Sequence, residues 1–209
     1  MSQFCSEQPV GSVPGVEDAP AGLLVIENFL SQAQCEIWQQ DFSDSPGEPA
    51  TVKILDSATA TMKKVRDKQR ITEVLELGPI AADVAKTVAL AYRDAIVPFF
   101  GARLDTFSAP SVLKYRPGGK YDAHSDSEYW DPERCRWIKS IDRDYSLLLY
   151  VNDHYEGGAL HFPNFKLKLQ PKCGMLVAFP SDHRYLHAAE PLVRGERFVV
   201  VSWAKDKQS

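Results

Sequence analysis

The spacing of hydrophobic positions changes once along this chain, near Gly101. Before that point helical periodicity dominates. Leu23-Leu24-Val25-Ile26 reads as a short strand, and Ser31 followed by Gln34 is a capping-box pattern opening a helix through Ile37, Trp38 and Phe42. Ser43 to Pro49 is expected as a loop and Thr51 to Leu55 as a strand. Pro79 stands at the start of the longest helical pattern, Ile80 to Phe99. Val84, Val88, Ala91, Ile96 and Phe99 give that pattern its apolar face, and Gly101 can end it.

After Gly101 short apolar runs recur between Pro, Gly, Asn and Asp punctuation. They cover Val112 to Tyr115, Tyr145 to Val151, Ala159 to Phe162, Phe165 to Leu169, Met175 to Phe179 and Phe198 to Trp203. Many short strands at this spacing predict an all-β sandwich or barrel, with the first-half helices buttressing a sheet. Residues 1–20 carry five Pro and Gly residues, lack periodicity and read as a flexible N-terminal arm. Residues 21–209 are then expected as a single domain.

Composition narrows the class. The chain has 209 residues, 44% of them hydrophobic and 25% charged, enough for one sizeable core. A net charge of −4 gives no electrostatic footprint for nucleic acid. No apolar stretch approaches membrane-spanning length, and the first residues lack both a basic n-region and an apolar h-region, so a cytoplasmic location is expected. Cys5, Cys35, Cys135 and Cys173 form no C-x-x-C, which favours free thiols over a disulfide framework or a zinc site. Lys63, Lys64, Arg66, Lys68 and Arg70 form either a solvated basic face or a lip attracting an acidic substrate. Nothing in the pattern specifies an oligomeric state.

The chemistry is concentrated in Y-R-P-G-G-K-Y-D-A-H-S-D, Tyr115 to Asp126. It reads as strand, turn and second strand, and positions i and i+2 of a strand share a face. His124 and Asp126 thus offer an imidazole and a carboxylate together, two-thirds of a ligand set that suits ferrous iron. Alone, the pair is weak evidence, since two exposed polar side chains on a solvated strand face would look identical. His183 and His187 are four apart, yet residue 184 is Arg, so the Glu of a helical zinc-protease motif is missing. His161 is expected to face outward or to be hydrogen-bonded, and His154 to be exposed in a hairpin loop. Arg197 opens a strand apolar on both faces, where a guanidinium is costly unless an anion meets it. A bound carboxylate, an internal acid or a solvent-reaching strand end would each serve.

H-x-D, a distant His, and an Arg ten positions later on a strand reaching Trp203 resemble the iron(II) and 2-oxoglutarate-dependent dioxygenases. The prolyl hydroxylase branch, both 4-hydroxylases and leprecan-type 3-hydroxylases, is the closer match. The resemblance is carried by residues 115–126, 143–163 (R-D-Y-S-L-L-L-Y-V-N-D-H-Y-E-G-G-A-L-H-F-P), 169–179 and 187–197. It implies a double-stranded β-helix, a cupin-like jelly-roll core over 110–204, with N-terminal helical support over 21–109. It further implies His124, Asp126 and His187 on Fe(II), and Arg197 on the far carboxylate of 2-oxoglutarate. Tyr150 and Tyr115 would line the same cosubstrate pocket, with Trp203 packed nearby. Three protein ligands leave three positions on a six-coordinate metal, for the keto acid and for O2. The implied reaction is oxidative decarboxylation of 2-oxoglutarate coupled to C–H hydroxylation, with ascorbate as reductant. The retained carboxylate at Asp126 favours hydroxylation over halogenation.

Residues 127–144 connect Asp126 to the next core strand and hold Tyr129, Trp130, Trp137 and Arg143 as candidate substrate contacts. They read either as a substrate lid or as a packed surface loop with Trp anchors. The expected substrate is a prolyl or similar residue in a peptide or protein, with a free amino acid or small metabolite as the alternative. A catalytically silent jelly-roll binding module and a zinc-dependent hydrolase are the rivals from other classes.

Overall fold

Ten residues, Arg197–Asp206, form the longest strand, and both of its faces are covered. Side chains alternate across a strand, so its two faces feed two different cores. Phe198 and Val200 point to one cluster, Val199 and Val201 to the other. The computed structural model describes residues 20–56 and 61–207, and the arm expected over 1–20 lies outside them except for Pro20.

Among the described residues two sheets dominate. The major sheet runs in the order Leu24–Ile26, Leu176–Pro180, Tyr145–Tyr150, Arg197–Asp206, Ser111–Tyr115, Glu73–Leu75, Gly47–Pro49, with Leu104–Phe107 also pairing Arg197–Asp206. The minor sheet runs Leu167–Leu169, Leu160–Phe162, His187–Ala189, Lys120–His124, Arg70–Ile71. Every registered pair in both sheets is antiparallel. One core fills the space between the sheets, and the other lies between the major sheet and the helices. This is the jelly-roll arrangement, mainly β with helices on the outer face of the major sheet.

The helices form for the reasons the sequence suggests, with departures at their ends. Ser31 caps Gln32–Asp44 by accepting the Gln34 N–H at 3.2 Å. The Gln34 side chain does not return to close a capping box; it donates to Thr87 of the next helix. The expected loop at 43–49 is shorter than the composition suggests. The helix persists to Asp44, and Gly47–Pro49 pairs with Glu73–Leu75 at the sheet edge, where Pro49 needs no ladder donor. The long helical pattern is an α-helix over Ala81–Ala91, a π turn over Tyr92–Ile96 and a last turn Val97–Phe100. Pro98 has no N–H to give, which accounts for the widened turn before it. Gly101 ends the run at φ +62°. The 21–109 half thus contributes helices and also strands to both sheets.

Trp38 and Phe42 are fully buried, and the Phe42 ring meets Phe198 at 6.1 Å. That contact ties the first helix to the central strand. Phe198→Ala is therefore expected to cost about 3–5 kcal/mol of folding stability. Urea unfolding reads this as a lower midpoint at unchanged slope; a loss under about 1 kcal/mol would mean that the helix layer contributes little.

Candidate active site

Two strands of the minor sheet bring the chemistry together. Register places His187 directly opposite His124 on the neighbouring strand. Asp126 follows two residues past His124, in a turn fastened to one carbonyl. The Asp126 and Ser127 N–H groups and the Ser125 and Ser127 hydroxyls all donate to Ser181 O, at 2.9–3.2 Å. His124 Nε2 then lies 3.5 Å from one Asp126 oxygen and His187 Nε2 lies 3.7 Å from the other. These separations are too long for hydrogen bonds. The three ligand atoms surround a common point, all within 4.8 Å of one another.

Each ring is oriented from behind. His124 Nδ1 meets Asp122 O at 2.8 Å and His187 Nδ1 meets Tyr185 O at 3.1 Å. A carbonyl requires N–H at Nδ1, which leaves the Nε2 lone pair of each ring aimed at the centre. Burial, with His124 nearby, lowers His187 to about 4, so its ring is neutral at physiological pH. Burial would raise the Asp126 carboxyl, but the two imidazoles and the Ser146 hydroxyl outweigh it and hold the group well below the usual range. Ser146 donates to Asp126 Oδ2 at 2.7 Å and meets Ser181 Oγ at 2.8 Å. Two imidazoles with Nε2 turned inward and an oriented carboxylate on one face fit a divalent iron.

Behind this triangle a cavity of about 110 Å3 runs between the sheets to Arg197. Arg197 is 2% exposed, and register sets it opposite Tyr115, whose ring lies 4.0 Å from the guanidinium carbon. One guanidinium nitrogen donates to Gly158 O, while Nε is buried with no partner. Gly158 has φ +66°, and a Cβ there would stand 3.2 Å from Arg197 Nη1 and 2.8 Å from Leu192, so glycine is required. Tyr150 also lines the cavity, and burial raises its hydroxyl above the ordinary range so that it remains a donor. The Tyr155 hydroxyl is buried without a partner. Unsatisfied donors around a buried guanidinium fit the carboxylate of a dicarboxylic acid. The internal acid and the solvent-reaching strand end are both absent among the described residues.

In front of the triangle a second cavity of about 500 Å3 opens to solvent. The 127–144 segment forms its wall as a hairpin, Glu128–Asp131 paired with Arg136–Lys139. Trp130 faces Trp137 across the pair, and Trp137 stacks on His183 with ring centroids 5.1 Å apart. The Glu128 carboxylate accepts from both the backbone N–H and Nδ1 of His183, each at 2.7 Å. The hairpin is thus anchored at its base, with Tyr129, Trp130 and Trp137 lining the cavity.

Arg143, the remaining candidate substrate contact of that segment, lines both cavities. It sits deeper, 3.6 Å over the Trp203 ring, and donates to Asp126 O at 3.2 Å. Trp203 lines the inner cavity on the same face as Arg197, as alternation requires. His161 stays 3.7 Å from Glu190 and His154 is exposed, both outside the triangle.

Tyr121 escapes the sequence reading, and Arg70 has two readings there. Tyr121 stacks on His124 at 3.5 Å, although strict alternation would put residues 121 and 124 on opposite faces. A register shift between His187 and Ala189 inserts the extra residue that turns them to one side. Arg70, read as part of either a solvated basic face or a lip attracting an acidic substrate, lies over the Tyr121 ring at 4.9 Å and lines both cavities.

Comparison with known proteins agrees with this arrangement. Residues 110–205 match the model of the 2OG-Fe(II) oxygenase superfamily. Prolyl 4-hydroxylase 13 of Arabidopsis thaliana is 27% identical over 205 residues, covering 87% of this chain and 70% of that protein. Prolyl 3-hydroxylase 2 of Rattus norvegicus is 36% identical over 89 residues, 38% of this chain and 13% of that much longer protein. A viral collagen prolyl hydroxylase from Paramecium Bursaria Chlorella virus-1 shares the fold, with a TM-score of 0.62, 20% identity and 99% of both chains covered. The match spans the strands that carry the triangle and Arg197, and the chain resembles the prolyl hydroxylase-like branch of the 2OG-Fe(II) oxygenase superfamily.

Proposed function

We propose that this protein hydroxylates a prolyl, or similar, residue in a peptide or protein, using Fe(II) held by His124, Asp126 and His187. The observation that carries the reading is Arg197, buried with a free Nε at the closed end of a cavity whose other end is the ligand triangle. A metal-only hydrolase has no use for that guanidinium, and a binding module has no use for the triangle. Bound together, iron and 2-oxoglutarate would supply, with O2, oxidative decarboxylation to succinate and CO2 coupled to hydroxylation of a C–H bond, one atom of O2 going into succinate and the other into the hydroxyl.

The chain's own residues position and shield. Arg197 would take the far carboxylate of 2-oxoglutarate, with the Tyr150 hydroxyl beside it and the Tyr115 ring against the guanidinium. Leu148, Val199 and Val201 make the inner walls apolar, which excludes water from the reacting centre. Ser146 holds Asp126 in its ligand orientation. The hairpin face with Tyr129, Trp130 and Trp137 borders the substrate entrance, an aromatic surface of the kind on which proline-containing peptides dock. The names of the relatives support a peptidyl substrate: prolyl 4- and 3-hydroxylases and a collagen prolyl hydroxylase. We take residues 21–209 as one domain, ascorbate as the external reductant and the cytoplasm as the location. No helix among the described residues is long and apolar enough to cross a membrane.

The direct test supplies Fe(II), ascorbate and 2-oxoglutarate with prolyl peptides and measures succinate together with peptide mass. Succinate formed in step with a gain of one oxygen atom supports the reading; none above the Arg197→Ala background removes it. Arg197→Ala is expected to weaken 2-oxoglutarate binding about 100-fold, since a desolvated charge partner costs several kcal/mol to truncate. Equilibrium dialysis against the metal-loaded protein measures this. Ser146→Ala should lower metal affinity about tenfold while circular dichroism stays unchanged, because it frees the Asp126 carboxylate without emptying the core.

A further inference from the structure

Two arginines stand at the entrance to the metal site, and neither forms an ion pair among the described residues. Arg143 donates only to the Asp126 carbonyl and lies on Trp203. Arg70 donates through Nη1 to Thr51 O at 3.2 Å, covers the Tyr121 ring, and keeps Nε buried with no partner. Both line the inner and the outer cavity, so both face the space between cosubstrate and solvent.

The acids around this entrance are already engaged. Asp122 is paired with Lys120 at 2.8 Å, Glu128 is bound twice by His183, and Asp126 belongs to the ligand triangle. Two guanidiniums that line the same cavities with no acid meeting either are unfavourable, and an anion bound there would remove that cost. Arg197 ends the inner cavity by itself, so the far carboxylate of 2-oxoglutarate has its own partner.

We infer that Arg70 and Arg143 form an anion subsite that selects substrates bearing a carboxylate beside the carbon to be hydroxylated. The inference rests on the hydroxylase reading above and names its substrate class. A carboxylate there comes from one of two sources: an acidic side chain flanking the prolyl residue, or the substrate's own α-carboxylate. The 500 Å3 outer cavity and its aromatic hairpin wall favour the acidic peptide. Arg70 lies outside the matched 110–205 segment, on the strand that edges the minor sheet. It is thus placed to set specificity while the shared chemistry stays fixed.

The test uses the full chain with paired prolyl peptides that differ only in Glu or Gln beside the proline, and with free L-proline. Peptide binding to the metal-loaded protein under nitrogen, read by tryptophan fluorescence, is measured alongside kcat/KM. The Glu peptide is expected to win by about tenfold or more in both readouts, the scale of a hydrogen-bonded charge pair. Arg70→Gln should bring the ratio close to one, and Arg70→Lys should restore part of it. Turnover of free L-proline above both peptides, with the same Arg70 dependence, also supports the subsite and assigns the carboxylate to the substrate itself. Equal handling of Glu and Gln without use of free proline overturns the inference. So does an Arg70→Gln protein that keeps the Glu preference and instead loses 2-oxoglutarate affinity. A Glu preference in binding without any hydroxylation retains the subsite and removes the hydroxylase reading; hydroxylation without charge preference does the reverse.

Discussion

The site depends on one cross-strand register, the one that sets His187 opposite His124. A slip of one residue along either strand would turn one imidazole to the other face of the sheet and dissolve the triangle. The rest of the local structure protects that register. The Ser181 carbonyl gathers four donors from residues 125–127, which fixes Asp126 relative to both strands. Backbone carbonyls of Asp122 and Tyr185 hold the two rings in the tautomer that presents Nε2 inward. The extra residue opposite the 187–189 segment brings Tyr121 onto the His124 ring and closes that flank.

The major sheet plays the complementary part. Its central strand is buried on both faces, with odd positions from Arg197 to Trp203 lining the inner cavity and even positions packing on helices. Alternation alone therefore converts one sequence run into both a cosubstrate wall and a structural spine. The guanidinium of Arg197 is tolerated at 2% exposure because Tyr115 covers it, Gly158 admits it, and its remaining donor is left for an anion. Desolvation makes that single charge a strong selector for a carboxylate.

Much of this was legible in the residues. Short apolar runs between turn residues marked the strands of the second half, and H-x-D with a later His and Arg pointed to the three side chains that the fold brings together. Features that arise from pairing across the fold were not legible. Tyr121 faces His124 only because of a bulge, which no local pattern announces. Arg70 was one of five cations readable as a solvated face or as a lip for an acidic substrate, and which of these holds depends on a two-residue strand beside Lys120–His124. Arg143 read as a candidate substrate contact of the 127–144 segment, and its seat on the Trp203 ring is a contact across the fold that no local pattern gives. Gly47–Pro49 read as a loop because Gly and Pro disfavour strands, and sheet-edge pairing overrode that preference.

The most direct measurement is a crystal structure grown without oxygen in the presence of manganese, as an inert substitute for iron, and 2-oxoglutarate. The account predicts anomalous density at one position, bonded by His124 Nε2, His187 Nε2 and Asp126, with the far carboxylate of 2-oxoglutarate against Arg197. Metal bound away from this triangle, or 2-oxoglutarate seated without contact to Arg197, would contradict it.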